Sequence, residues 1–97
     1  MWPDNRFEDL VGIDHPIIQA PMAGSSSLEM ALAVSSAGGL GSLACATHDA
    51  DSLRDTLAAA FGKTTRPLNV NFFAHPAPGM PGPSADRWRK HLSPYFQ

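Results

Sequence analysis

The chain has a single cysteine, Cys45, and therefore no intramolecular disulfide. A secreted disulfide scaffold is excluded, and a reducing, cytoplasmic setting is expected. Charge is also scarce. Asp, Glu, Lys and Arg make up 16% of the 97 residues, against about a quarter in an ordinary globular chain. That shortage excludes a coiled coil and a highly charged disordered tail. Seven basic against nine acidic residues leave a net charge of −2, so no basic field exists for nucleic acid or anionic lipid. Long apolar runs are missing as well. Met30 to Thr47 carries no formal charge, but Gly38-Gly39 and three serines interrupt it, and no membrane span is expected. The first ten residues are mixed in charge and lack the apolar stretch of a signal peptide. One small soluble domain at most is expected.

Local patterns predict alternating strands and helices. Asp4 or Asn5 can cap a first helical turn in which Phe7 and Leu10 lie three apart, with Gly12 as its stop. Pro16 introduces Ile17-Ile18-Gln19-Ala20, an apolar run ended by Pro21, and a buried strand is expected at about 17–20. Ser26 and Glu29 have capping-box spacing. Leu28, Ala31, Leu32 and Ser35 recur at helical spacing up to Gly38, which predicts a helix from about Leu28 to Ala37. A second strand is expected at about 40–45, where small residues imply close packing. Asp49 or Asp51 can cap a second long helix, with Leu53, Leu57, Ala60 and Phe61 on one face. A third strand is expected at about 68–73, alternating Leu68, Val70 and Phe72 with Asn69 and Asn71. The loop 76–83 is rich in Pro and Gly and resists helix and strand alike. Ser84 can cap a last helical stretch with a Trp88, Leu92, Tyr95 stripe, and Ser93-Pro94 kinks it or starts a new turn. This order predicts an α/β fold with a parallel sheet, either doubly wound or the start of a (β/α)8 barrel.

Parallel strands put their carboxyl ends on one face, so Ala20 to Gly24, Ala46 to His48 and Asn71 to His75 share the face where ligands bind in both architectures. Asn69 and Asn71 point the same way on one strand, where few polar side chains belong. Two partners are open to them: neighbouring backbone, or a polar ligand at the strand end. Gly39 to Ala44 fits G-x-G-x-x-A, but the order is helix, glycines, strand, the reverse of a dinucleotide site. The glycines therefore read as a helix stop with tight packing. Cys45, with no base beside it, reads as a small core residue. His15, His48, His75 and His91 lack ligand spacing, so no metal site is expected. His48 and His75 fall on the ligand face, either as solvated loop residues or as substrate contacts. Trp88 among Arg87, Arg89 and Lys90 reads as a packed aromatic beside a solvated face.

Three segments together resemble the nitronate monooxygenases, once called 2-nitropropane dioxygenases. Pro16 to Gly24 (PIIQAPMAG) is similar to the family's first strand and loop. Ala33 to Leu43 (AVSSAGGLGSL) is similar to its first helix end and second strand. Leu68 to Phe73 (LNVNFF) is similar to its third strand. The first two are shared in weaker form with flavin-dependent enoyl-acyl-carrier-protein reductases, and more distantly with inosine monophosphate dehydrogenases. The Ala20-Pro21-Met22 wording and the Asn71 strand favour the nitronate branch.

The resemblance implies a (β/α)8 barrel carrying FMN. It implies that the backbone of Ala20, Pro21, Met22 and Ala23 lies against the flavin and that the Asn71 amide hydrogen-bonds it. The implied reaction takes an alkyl nitronate and dioxygen to a carbonyl compound and nitrite. A complete barrel needs about 250 residues, so residues 1–97 are expected to be its N-terminal part, with three βα units. The family's catalytic histidine and phosphate-binding loops lie further along, so no catalytic residue is expected in this chain. Alternatives are an enoyl-thioester reductase barrel, or a non-catalytic remnant whose open sheet edges promote self-association.

Overall fold

The structure is a computed structural model and describes residues 2–96. In chain order it contains α1 (Arg6–Val11), α2 (Leu28–Ser36), β1 (Gly41–Ala44), α3 (Ala50–Phe61), β2 (Leu68–Asn71), α4 (Pro83–Leu92) and a 3-10 turn at Ser93–Tyr95. β1 and β2 pair in parallel, with Gly41 opposite Leu68 and Ala44 opposite Asn71. A parallel pair needs a crossover, and α3 supplies it. Asp49 starts α3 by accepting the Ser52 N–H at 2.8 Å, which satisfies one otherwise free helix donor. Ser27 does the same for α2 through the Met30 N–H at 3.1 Å. The cap therefore sits one residue beyond Ser26, whose hydroxyl instead donates to the Met22 carbonyl at 2.7 Å. At α4 the cap position is Gly82 with Pro83 leading the helix, not Ser84.

The core lies between the sheet and helices α2 and α3. Ala31, Leu43, Cys45 and Ala60 are buried together, with Leu28, Leu53, Leu57, Leu68 and Val70 packed against them. Periodicity explains which residues these are: Leu53, Leu57 and Ala60 form the inward stripe of α3. Phe61, expected on that stripe, is 58% exposed at the helix end. α1 also differs from expectation. It turns Glu8 inward and leaves Leu10 at the surface, where none of the described residues covers it.

Two glycines and one serine set how closely these elements approach. A Cβ on Gly41 would overlap the Ala31 carbonyl, so α2 lies directly on the β1 backbone. The buried Ser35 hydroxyl accepts the Gly41 N–H at 3.2 Å and donates to the Pro67 carbonyl at 3.1 Å. One side chain thereby joins α2 to the starts of both strands. Gly38, at φ +94°, turns the chain out of α2. Its carbonyl accepts the Asp14 and His15 N–H groups at 2.8 and 3.0 Å. That contact brings the segment after Pro16 beside Leu40. In the G-x-G pattern, Gly41 meets α2 and Gly39 lies against Val34 and the Ile17 carbonyl, so it serves packing, as its helix-first order indicated.

The expected strand at 17–20 forms as one parallel bridge, Ile18 to Leu40. The Leu40 N–H donates to Ile17 O at 2.8 Å and the Gln19 N–H donates to Leu40 O at 2.9 Å. The ladder goes no further: the Ser42 N–H turns to the Gln19 side chain, and the donor position after that on this segment is Pro21, which has no N–H. β2 likewise ends at Asn71, short of Phe73. Residues 76–82 form no helix or strand. α4 follows them and buries no residue. None of the described helices is long and apolar enough to cross a membrane.

Candidate functional site

Alternation along the strands gives the sheet two chemically different faces. Leu43, Leu68 and Val70 face the helices. The residues between them form a polar belt. Gln19 Oε1 accepts the Ser42 N–H at 3.1 Å. The Ser42 hydroxyl, on a residue only 1% exposed, accepts from Asn69 Nδ2 at 3.1 Å. The belt crosses all three chain segments at the same height. Asn71 stands one layer beyond it, at the carboxyl end of β2, opposite Ala44.

The two asparagines therefore part company. Asn69 finds its partner inside the protein. The half-buried Asn71 side chain has no hydrogen-bond partner among the described residues, while its backbone carbonyl accepts the Cys45 N–H at 3.0 Å. A polar group presented at a strand end without a protein partner is available to a ligand. Two further orphans lie close in sequence to this edge. Gln19 Nε2 and His48 Nδ1 are both buried and unpartnered.

Past Gln19 the chain leaves the sheet through Ala20, Pro21, Met22 and Ala23. The loop is closed by Ser26, whose hydroxyl accepts the Met22 N–H at 3.0 Å. The Ser25 and Ser26 N–H groups donate back to Met22 O at 3.1 and 2.8 Å. Among the described residues, the Ala23 and Gly24 N–H groups have no protein acceptor. Behind the loop lies a cleft of about 260 Å³ lined by Ala23, Gly24, Ser27, Ala44, Thr47 and His48. The structure thus brings the end of the first loop beside the ends of β1 and α2. Ala20, Pro21, Met22 and Asn71 do not line this cleft.

The remaining candidates separate clearly. Cys45 also lines the cleft but is 1% exposed, and burial pushes its thiol up, away from the thiolate a nucleophile requires. His75 is exposed and lies beside Phe73, ring centroids 5.7 Å apart. No group of three or more His, Cys, Asp or Glu among the described residues could hold a metal ion. Gln19 and Ser42 are the belt residues that sequence reasoning did not single out. Their signal was a glutamine in a β-branched run, two residues before a proline that cannot donate.

Comparison with known proteins bears on this geometry. A statistical model of the nitronate monooxygenase family matches residues 4–95. A nitronate monooxygenase of Pseudomonas aeruginosa is 46% identical over 93 residues, which is 95% of this chain and 26% of that protein. A nitronate monooxygenase of Paraburkholderia phytofirmans is 42% identical over 88 residues, covering 91% of this chain and 24% of that one. Among solved structures, nitroalkane oxidase from Streptomyces ansochromogenes superimposes with a TM-score of 0.75 at 37% identity, over 91% of this chain and 24% of that one. FabK from Thermotoga maritima gives a TM-score of 0.67 at 34% identity, over 90% of this chain and 26% of that one. The fold is α/β with parallel strands and corresponds to part of a (β/α)8 barrel. The chain spans about a quarter of the length of the curated relatives it matches. With 92 of its 97 positions inside the family's pattern (residues 4–95), this chain belongs to the nitronate monooxygenase family.

Proposed function

We propose that this chain is the N-terminal portion of an FMN-dependent nitronate monooxygenase and forms one wall of its cofactor site. The single observation that carries the reading is Asn71, an amide at the carboxyl end of a parallel strand with no partner of its own. Such strand ends are where barrels bind their ligands. A flavin ring carries the carbonyl and ring-nitrogen groups that free amides can meet. The residues present fit that chemistry: the Asn71 carboxamide, the unpartnered Ala23 and Gly24 N–H groups, and the exposed residues Ala20 and Met22 beside them.

In this reading Asn71 holds the polar edge of the flavin, and Ala20, Pro21, Met22 and Ala23 lie along it without competing charge. Bound FMN supplies the electron transfer, and the protein positions and tunes it. The reaction takes an alkyl nitronate and dioxygen to a carbonyl compound and nitrite. In the family that this chain resembles, the residue that handles substrate protons lies further along the barrel than these 97 residues, and on this reading His48 is a cleft-lining residue without a catalytic role. A cytoplasmic location accords with the lone, buried cysteine.

The FabK likeness supports a second reading, reduction of an enoyl thioester on the same barrel. The test uses this chain completed by the remaining barrel of the Pseudomonas aeruginosa relative and supplied with FMN. The proposal expects a flavin band that travels with the protein on gel filtration, and nitrite release from an alkyl nitronate in air. A flavoprotein that oxidises no nitronate but reduces an enoyl thioester with a nicotinamide cofactor would establish the second reading instead.

Alone, the chain leaves Ile17, Ile18, Phe72 and Phe73 more than half exposed beside open strand edges. Unpaired edges with apolar flanks invite pairing with another copy. The isolated 97-residue chain is therefore expected to self-associate, and a monomer in analytical ultracentrifugation would contradict this.

A further inference from the structure

The polar belt contains a substitution in the hydrogen-bond pattern of the sheet itself. In a parallel ladder the rungs advance two residues at a time. After Leu40 N–H to Ile17 O and Gln19 N–H to Leu40 O, the next rung in register runs from the Ser42 N–H to the Gln19 backbone carbonyl. Here the Ser42 N–H donates instead to the Gln19 side-chain carbonyl, at 3.1 Å. The rung after that would need an N–H on residue 21, and residue 21 is proline. The Gln19 side chain thus satisfies the buried Ser42 donor while the Gln19 backbone is released to turn away. The strand ends at Gln19 and the loop begins at Ala20.

We propose that Gln19 is a positioning residue for the cofactor loop: its carboxamide replaces the backbone rung to Ser42 and so sets where Ala20 to Ala23 leave the sheet. The inference rests on the flavin reading above. The Asn69 amide reinforces it from the other side by donating to the Ser42 hydroxyl at 3.1 Å, which holds Ser42 in register between the two segments. Gln19 itself is not a catalytic residue. It acts through the backbone of the four residues that follow it.

The experiment again uses this chain completed by the relative's remaining barrel. FMN is titrated into the wild type, Gln19→Met and Ser35→Ala, with visible circular dichroism recorded at saturation. Gln19→Met keeps the side-chain length and removes the Oε1 acceptor together with the unpartnered Nε2 donor. It is expected to raise the FMN dissociation constant about tenfold, the scale of one lost buried hydrogen bond, and to change the flavin dichroism. Ser35→Ala breaks the buried bonds on the helix side and tests for a merely structural effect. It should lower stability while leaving the dissociation constant within about threefold and the dichroism unchanged. A wild-type dissociation constant and dichroism in Gln19→Met would overturn the proposal, as would the same dichroic change in Ser35→Ala.

Site-resolved hydrogen exchange on the flavin-free wild type tests the rung without any variant. The Ser42 amide should be protected to the degree of its strand neighbours, and rapid exchange there would refute the replaced rung. Should the wild type bind no FMN, the cofactor reading fails and the positioning role falls with it. Normal FMN binding with an indifferent Gln19→Met overturns the positioning role alone.

Discussion

On one face of the sheet, Leu43, Leu68 and Val70 pack against α2 and α3 around Ala31, Cys45 and Ala60. One position away on the same strands, Ser42, Asn69 and Asn71 carry a hydroxyl and two amides. A parallel strand covered on both faces is usually apolar throughout. The departure from that habit is confined to one face, and there Ser42 and Asn69 satisfy each other while Asn71 does not. The helix-side face carries stability. The opposite face leaves one amide, Asn71, without a partner among the described residues at its carboxyl edge.

Leu43→Ala should cost about 2–5 kcal/mol, because the buried side chain leaves a cavity the helices cannot fill. Urea unfolding of the barrel-completed protein reads this directly, and a change under about 1 kcal/mol would contradict the placement of the core. Ser35→Ala should cost about 1–3 kcal/mol by stranding the Gly41 N–H and the Pro67 carbonyl. The same unfolding curve measures it. An equal loss for Ser36→Ala, one residue on and exposed, would show that the Ser35 bonds are not the cause.

Substitution on the polar face sharpens the contrast. Asn69→Ala removes the donor to Ser42 and should cost about 1 kcal/mol of stability, with its effect on FMN smaller than that of Asn71→Ala. The smallest effect concerns neither face. The Ser52 N–H, and after it the Ser52 hydroxyl, hold the Asp49 carboxyl below the usual carboxylate range. A carboxyl depressed in the folded state contributes stability that is present above its unfolded pKa and lost as pH falls through the folded one. The N-terminus of α3 should therefore fray below about pH 4, seen as a lower protection factor of the Ser52 amide relative to its intrinsic exchange rate at each pH. An unchanged protection factor between neutral pH and that range would remove Asp49 from its capping role.

Much of this was legible in the chain itself. The stripe of Leu53, Leu57 and Ala60 announced a buried helix face, and Gly38 announced the stop after α2. The alternation of Asn69 and Asn71 marked a polar strand face. What periodicity could not show was which of the two asparagines has an internal partner, since that depends on Ser42 arriving opposite Asn69 in the register. Nor could it show that the first strand shrinks to one bridge. The run Ile17-Ile18-Gln19-Ala20 is strand-like in composition, but Pro21 removes a rung and Gln19 replaces another with its side chain. Leu10 and Phe61 sit at periodic positions yet remain exposed, because a stripe is buried only where a neighbour lies against it.

On the proposed reading, the polar face ends in a flavin contact made by Asn71. It is tested most directly by titrating FMN into the barrel-completed wild type and its Asn71→Ala variant, with unfolding curves recorded for both. The account predicts FMN binding weaker by about 1–3 kcal/mol in the variant, with stability changed by less than about 0.5 kcal/mol, as at a site without internal partners. Equal FMN affinity in the two proteins would contradict it.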